Sequence, residues 1–243
     1  MSRSQLTNGG AGVYCRLSLQ GNGLEVNKRT VGALCWLSSA QFFIAQAWVA
    51  LAWTTPFSLL LNFISDLGNT ECGLSKSETH LYVCSPRHAL MNVSFVVLGL
   101  TIFVGGVLTH ESRRPGITRQ FARAFMVVAG IGGIGVGWFP ENENLRLHSL
   151  GAGAYFLFAN VGLVLLGRSA AGGPARAKGL TIALGVIGIA ATVLFFSGSY
   201  FGLGIGGTER LLVYPLPLAL IVNGALLLLD RRAAVDAQTA RPV

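Results

Sequence analysis

Apolar residues run along this chain in six long blocks, 31–53, 88–109, 119–139, 147–167, 179–199 and 211–229, separated by short polar connections. Each block is close to the roughly 20 residues that a helix needs to cross a bilayer core of about 30 Å. The pattern predicts an all-α fold, an integral membrane bundle of six transmembrane helices over residues 31–230. A shorter apolar patch, 57–64, follows Thr54-Thr55-Pro56. It is too short to span and is expected at the interface or folded back into the bundle. Residues 1–30, broken by Asn8-Gly9-Gly10 and Gly21-Asn22-Gly23, read as a flexible arm, and 231–243 as a polar tail. The arm has no apolar h-region, so the first span is expected to serve as the targeting signal.

Composition sharpens this picture. Hydrophobic residues make up 52 % of the chain and charged residues only 12 %, with 32 glycines scattered through the apolar blocks. That is the composition of a polytopic membrane protein, with membrane lipids as its first partners. The formal charge of +8 does not point to nucleic acid, because the basic residues form no single patch. They sit at the ends of the apolar blocks, where they set orientation. Of the 18 Lys and Arg residues, 14 fall in the two terminal segments and the even-numbered connections. The other four are Lys76, Arg87, Arg146 and Arg210, all in odd-numbered connections. The positive-inside rule therefore places both termini in the cytoplasm, and the plasma membrane is the expected location.

The same division sorts the groups that could do chemistry. Asp66, Glu71, Glu78, Glu141, Glu143 and Glu209 fall on the outer side, together with His80, His88 and His148. They cluster in three polar islands: the Ser65-to-Asn69 turn with the following Arg87 and His88, the Pro140-to-Arg146 connection, and Gly207-to-Arg210 followed by Tyr214-Pro215. Cys72 and Cys84 share the first outer loop. In an oxidising compartment they can close a disulfide worth roughly 3 kcal/mol in the chain-entropy model, two free thiols being the alternative. No cysteine spacing matches a zinc ribbon or finger.

Each candidate has a functional and a structural reading. Asp66 at the membrane boundary is either a catalytic carboxylate or a helix cap. Arg87 either holds an anionic headgroup or anchors the interface. His148 lies one turn inside the fourth span, where an ionisable residue suggests a site; a bond to a nearby backbone carbonyl is the alternative. Glu209 and Arg210 are either a buried ion pair holding the sixth span or a carboxylate beside an anion clamp. Gly202-x-Gly204-x-x-Gly207 matches a dinucleotide fingerprint by letter, but no strand precedes it, so it reads as a close-packed re-entrant or loop segment. The Gly130/Gly132/Gly133/Gly135/Gly137 run reads as a helix-packing face.

Taken together, ISDLGN after the first span, CSPRHALMN entering the second, FPEN followed by HSLGA, and ERLLVYP entering the sixth form an ordered pattern. In these motifs the chain resembles the bacterial and archaeal membrane-protein family known as domain of unknown function 998, over roughly residues 31–230. The resemblance implies six helices with a polar cluster near their outer ends, and no established activity.

Two main functions remain open at this stage, with a third behind them. One is a hydrolase or transferase acting on a lipid or lipid-linked substrate from the outer face. In that reading Asp66, Glu141, His148 and Glu209 supply acid and base, and Arg87, Arg210, Asn69 and Tyr214 bind substrate. Its metal variant uses Asp66, His88 and His148 around a divalent ion such as zinc. The other is a non-catalytic lipid-binding, transport or assembly protein whose polar cluster is structural. A haem held between His88 and His148 is the third reading.

Overall fold

The computed structural model describes residues 28–75, 79–109, 116–169 and 175–239. The arm 1–27, the last four residues of the tail, the loop residues Lys76 and Glu78, and the basic turn with His110, Glu111, Arg113 and Arg114 lie outside the described residues. Six helical spans are long and apolar enough to cross a membrane. Large apolar side chains such as Ile44, Trp48, Val93, Ile131, Leu150 and Val193 point outward from them. Helices that are apolar all round belong in lipid.

The first span divides into α1 (Lys28–Ser38) and α2 (Gln41–Ala50). At the break Ser38 Oγ donates to Cys35 O at 2.7 Å, a back-bond of the kind that bends helices, and Ser39 Oγ pairs with Thr101 Oγ1 at 3.2 Å. A 3-10 turn (Ser65–Gly68) and a small antiparallel hairpin, β1 (Gly73–Leu74) with β2 (Tyr82–Val83), lead into α3 (His88–Thr109). The disulfide Cys72–Cys84 closes that hairpin. Then come α4 (Ile117–Trp138), α5 (Leu145–Arg168) and α6 (Ala175–Ser197). The sixth span is two helices in line, α7 (Gly204–Val213) and α8 (Pro215–Thr239).

Helices α3, α4, α5 and α6 pack each against the next in sequence, and α1 closes the bundle against α3 and α8. The expected glycine face on α4 is where this packing is tightest. A Cβ at Gly132 would lie 2.6 Å from Gly151 O on α5, so only glycine lets those two backbones approach. Phe42, Met91, Ile102, Met126, Leu163 and Leu216 fill the centre.

One boundary departs from the sequence expectation. The sixth span starts at Gly204 rather than 211, so Glu209 and Arg210 stand on a helix and not in a connection. The cause is the patch at 57–64, which folds back into the bundle. Its Leu60 carbonyl accepts from Gly206 N and Gly207 N, satisfying first-turn amides of α7 that would otherwise lack partners. A Cβ at Gly204, where φ is +68°, would fall 2.2 Å from Leu60 O, and one at Gly206 would fall 2.2 Å from Asn62 O. Gly204 and Gly207 of the false dinucleotide motif, with Gly206 between them, are thus a contact surface for this folded-back segment.

Candidate functional site

The folded-back segment is irregular backbone in a mostly apolar setting, so its polar groups need internal partners. Three side chains from outside the 57–64 patch satisfy four of them. Arg210 Nη1 donates to Leu59 O at 2.9 Å, Asn62 O at 2.8 Å and Gly206 O at 2.8 Å, with its guanidinium 5.6 Å from the Phe57 ring centroid. Glu209 Oε2 accepts from Ile64 N. Asp66 Oδ2 accepts from Phe63 N at 2.9 Å and Asn62 Nδ2 at 3.1 Å.

Asp66 is fully buried, and its Oδ1 has no hydrogen-bond partner among the described residues. Burial pushes its carboxyl up to about 6, and the nearby Glu141 charge adds to the rise. The Asn62 and Phe63 donors and the Arg210 charge pull the other way.

Beside this framework lies a cleft of about 600 Å³ between α5, α6 and α7. Its polar floor is Ser65, Glu141, His148 and Glu209, and aromatic side chains including Phe63, Phe156, Phe195 and Phe196 wall it. Ser65 Oγ donates to Glu141 Oε2 at 2.7 Å, joining the first and second polar islands; the Ile64–Glu209 bond joins the first and third. All three islands therefore meet at one end of the bundle. Asn144 caps α5 by accepting from Leu147 N at 3.1 Å, which places His148 on the first turn. His148 Nδ1 lies 2.9 Å from Phe139 O. A carbonyl only accepts, so Nδ1 carries the proton, and in the neutral ring Nε2 is the basic nitrogen. Behind the floor a void of about 40 Å³, shared by Ser65, His148 and Glu209, runs toward Phe42 and Tyr155.

The structure brings together some of the candidates and disperses the rest. Glu141, His148 and Glu209 line the cleft; Asp66 stands directly behind it. Arg87, Asn69, Arg210 and Tyr214 do not line it. Arg87 is exposed, donates to Trp48 O at 3.3 Å and stacks 5.6 Å from the Trp48 ring, an interfacial anchor. Tyr214 donates to Gln46 Oε1 at 2.8 Å, tying α8 to α2. Asn69 is buried beside the 3-10 turn, its N–H donated to Asp66 O.

The metal set is not assembled. Among the described residues no three His, Cys, Asp or Glu side chains converge as ligands of one ion. His88 Nδ1 pairs with Ser85 O at 3.0 Å at the start of α3, and His88 lines neither cavity that His148 lines.

One cleft residue went unnamed among the sequence candidates. Ser65 reads as a turn former beside Asp66; its only sequence signal was membership of the first polar island.

Residues 37–226, most of the chain, match the family described as protein of unknown function (DUF998). No curated protein and no solved structure matches the chain. The chain thus belongs to the DUF998 family.

Proposed function

We propose that this protein is an enzyme of the plasma membrane that hydrolyses or transfers a group of a lipid or lipid-linked substrate, with the cleft on the outer face and both termini in the cytoplasm. The observation that carries the reading is the convergence of Ser65, Glu141, His148 and Glu209 on the floor of a single aromatic-walled cleft. Its volume falls in the few-hundred to about 1,000 Å³ range of small-molecule sites. The Lys and Arg distribution supports the orientation. Phe196, well exposed at the cleft, offers apolar surface to an entering chain.

In this reading Glu141 accepts the proton of a hydroxyl in the position that Ser65 Oγ occupies, whether the attacking group is Ser65 itself, water or a substrate hydroxyl. His148, held by Phe139 O, exchanges a proton through Nε2. The apolar walls exclude water and strengthen these interactions. Asp66, Glu209 and Arg210 fix the floor. Their bonds to the backbone of 59–64 favour a second reading for those three residues, a structural one, which is compatible with catalysis by the others.

The test is turnover. Purified protein in vesicles of a total bacterial lipid extract would be followed by mass spectrometry, alongside Glu141→Gln and His148→Gln. Conversion by wild type that both variants lose at unchanged melting temperature is the expected result. An inert wild type that copurifies with a stoichiometric lipid would replace the enzyme with a lipid-binding protein.

A further inference from the structure

The cleft has a marked chemical bias. Its charged lining is Glu141, Glu209 and His148, with Tyr200 beside them, and no Lys or Arg among the described residues lines it. The Arg that might have balanced the acids, Arg210, directs its Nη1 to three backbone carbonyls and stands outside the lining. An anionic headgroup would therefore meet acids without a clamp.

Glu209 supplies an independent pointer. It is 94 % buried, its Oε2 is occupied by Ile64 N, and Oε1 has no hydrogen-bond partner among the described residues although the residue lines the cleft. Oε1 is thus an open acceptor at a residue lining the cleft, and a ligand with N–H groups can donate to it. An ammonium offers three donors and a charge, whereas a hydroxyl offers one donor and none. The walls suit the same ligand: Phe195 and Phe196 present ring faces and edges to a cation and apolar surface to its alkyl chain.

We propose that the cleft is selective for an amphiphile whose headgroup carries a protonated amine. This rests on the cleft being the ligand site proposed above, and narrows its substrate to amine-bearing lipids. The acids orient the ammonium at the floor, and the chain leaves between α5 and α6 past Phe196.

The experiment uses full-length protein in a non-ionic detergent at pH 7, with binding of radiolabelled dodecylamine, dodecanol and dodecanoate measured against protein-free micelles. Dodecylamine is expected to bind at least about tenfold more tightly than dodecanol, with dodecanoate weakest, a gap of about 1.4 kcal/mol or more. Glu141→Gln should bring amine and alcohol within about threefold of each other; Glu209→Gln should do the same, its amide oxygen still able to accept from Ile64 N. Should Glu209→Gln fail to fold, Glu141→Gln carries the comparison. Gly153 lies on the cleft wall, and a Cβ there meets nothing within 4 Å, so Gly153→Phe has room for its first side-chain atom, narrows the cleft and should weaken amine binding at least about tenfold. Equal binding of alcohol and amine, preference for dodecanoate, or amine binding unchanged in Gly153→Phe would overturn the proposal. Equal binding of alcohol and amine that Gly153→Phe weakens overturns only the amine preference. Failure of all three chains to bind overturns the ligand-site reading as well.

Discussion

Two sets of buried polar side chains lie almost in contact at one end of this bundle, and they differ in where their hydrogen bonds go. Asp66, Glu209 and Arg210 direct theirs mainly to backbone atoms of the folded-back 57–66 segment. Ser65 and Glu141 bond to each other, His148 bonds to the Phe139 carbonyl, and all three line the cleft. The first set resembles the internal satisfaction that any non-helical backbone requires in a membrane. Position in the sequence does not separate them: Ser65 and Asp66 are neighbours, one on each side of the division. Glu209 straddles it, one oxygen on the backbone and the other toward the cleft.

This division can be broken most forcefully at Arg210. Arg210→Met leaves three carbonyls without their shared donor and is expected to cost about 3–5 kcal/mol, seen as loss of folded, detergent-soluble protein. Arg210→Lys, which retains a charge and three donors, should recover part of that yield. A milder loss is expected at the hairpin: Cys72→Ser with Cys84→Ser removes a cross-link over a 12-residue separation, about 3 kcal/mol in the chain-entropy model, readable as a lower melting temperature without reductant and no further effect of reductant.

Asp66 gives a pH-dependent handle. Its carboxyl sits at about 6, raised from 3.8 first by burial, so the folded state holds the proton more tightly than the unfolded one. Stability from this group is complete below about pH 3.8 and falls as pH rises through about 6. Asp66→Asn keeps an acceptor for Phe63 N and removes the titration. It should raise stability at pH 8 by on the order of 2 kcal/mol and change little at pH 4, measured by thermal denaturation at both values. Glu141, Glu209 and Arg210 face the same carboxyl and would shift the midpoint without reversing the direction. The smallest stability effect belongs to the cleft: Glu141→Gln preserves an acceptor for Ser65 Oγ and should move the melting temperature by no more than about 2 °C, within the range of changes below about 0.5 kcal/mol.

The spans were legible in the sequence because lipid demands long apolar blocks, and 88–109 coincides with α3. The start of the sixth span was not. It is set by Leu60 O, which accepts from Gly206 N and Gly207 N, and by Arg210, which donates to Leu59 O, contacts between segments about 150 residues apart that no local pattern encodes. The patch at 57–64 was recognised as too short to span, yet which residues would receive it depended on the same long-range contacts. Glu141, His148 and Glu209, which line the cleft, were legible as rare ionisable groups at the ends of apolar blocks. Ser65 was not, since a serine before an aspartate has an ordinary turn reading and gains its role only through Glu141. Arg87 misled for a related reason: its scarcity on that side suggested a ligand clamp, but Trp48 one helix away offers it a carbonyl and a ring.

The most direct measurement of the central division is a paired one on Glu141→Gln, melting temperature and dodecylamine affinity in the same detergent preparation. The expected result is a melting temperature within about 2 °C of wild type and amine binding weakened about tenfold. A melting temperature lowered as far as in Arg210→Met, with amine binding unaltered, would place Glu141 in the structural set and leave the cleft without its chemistry.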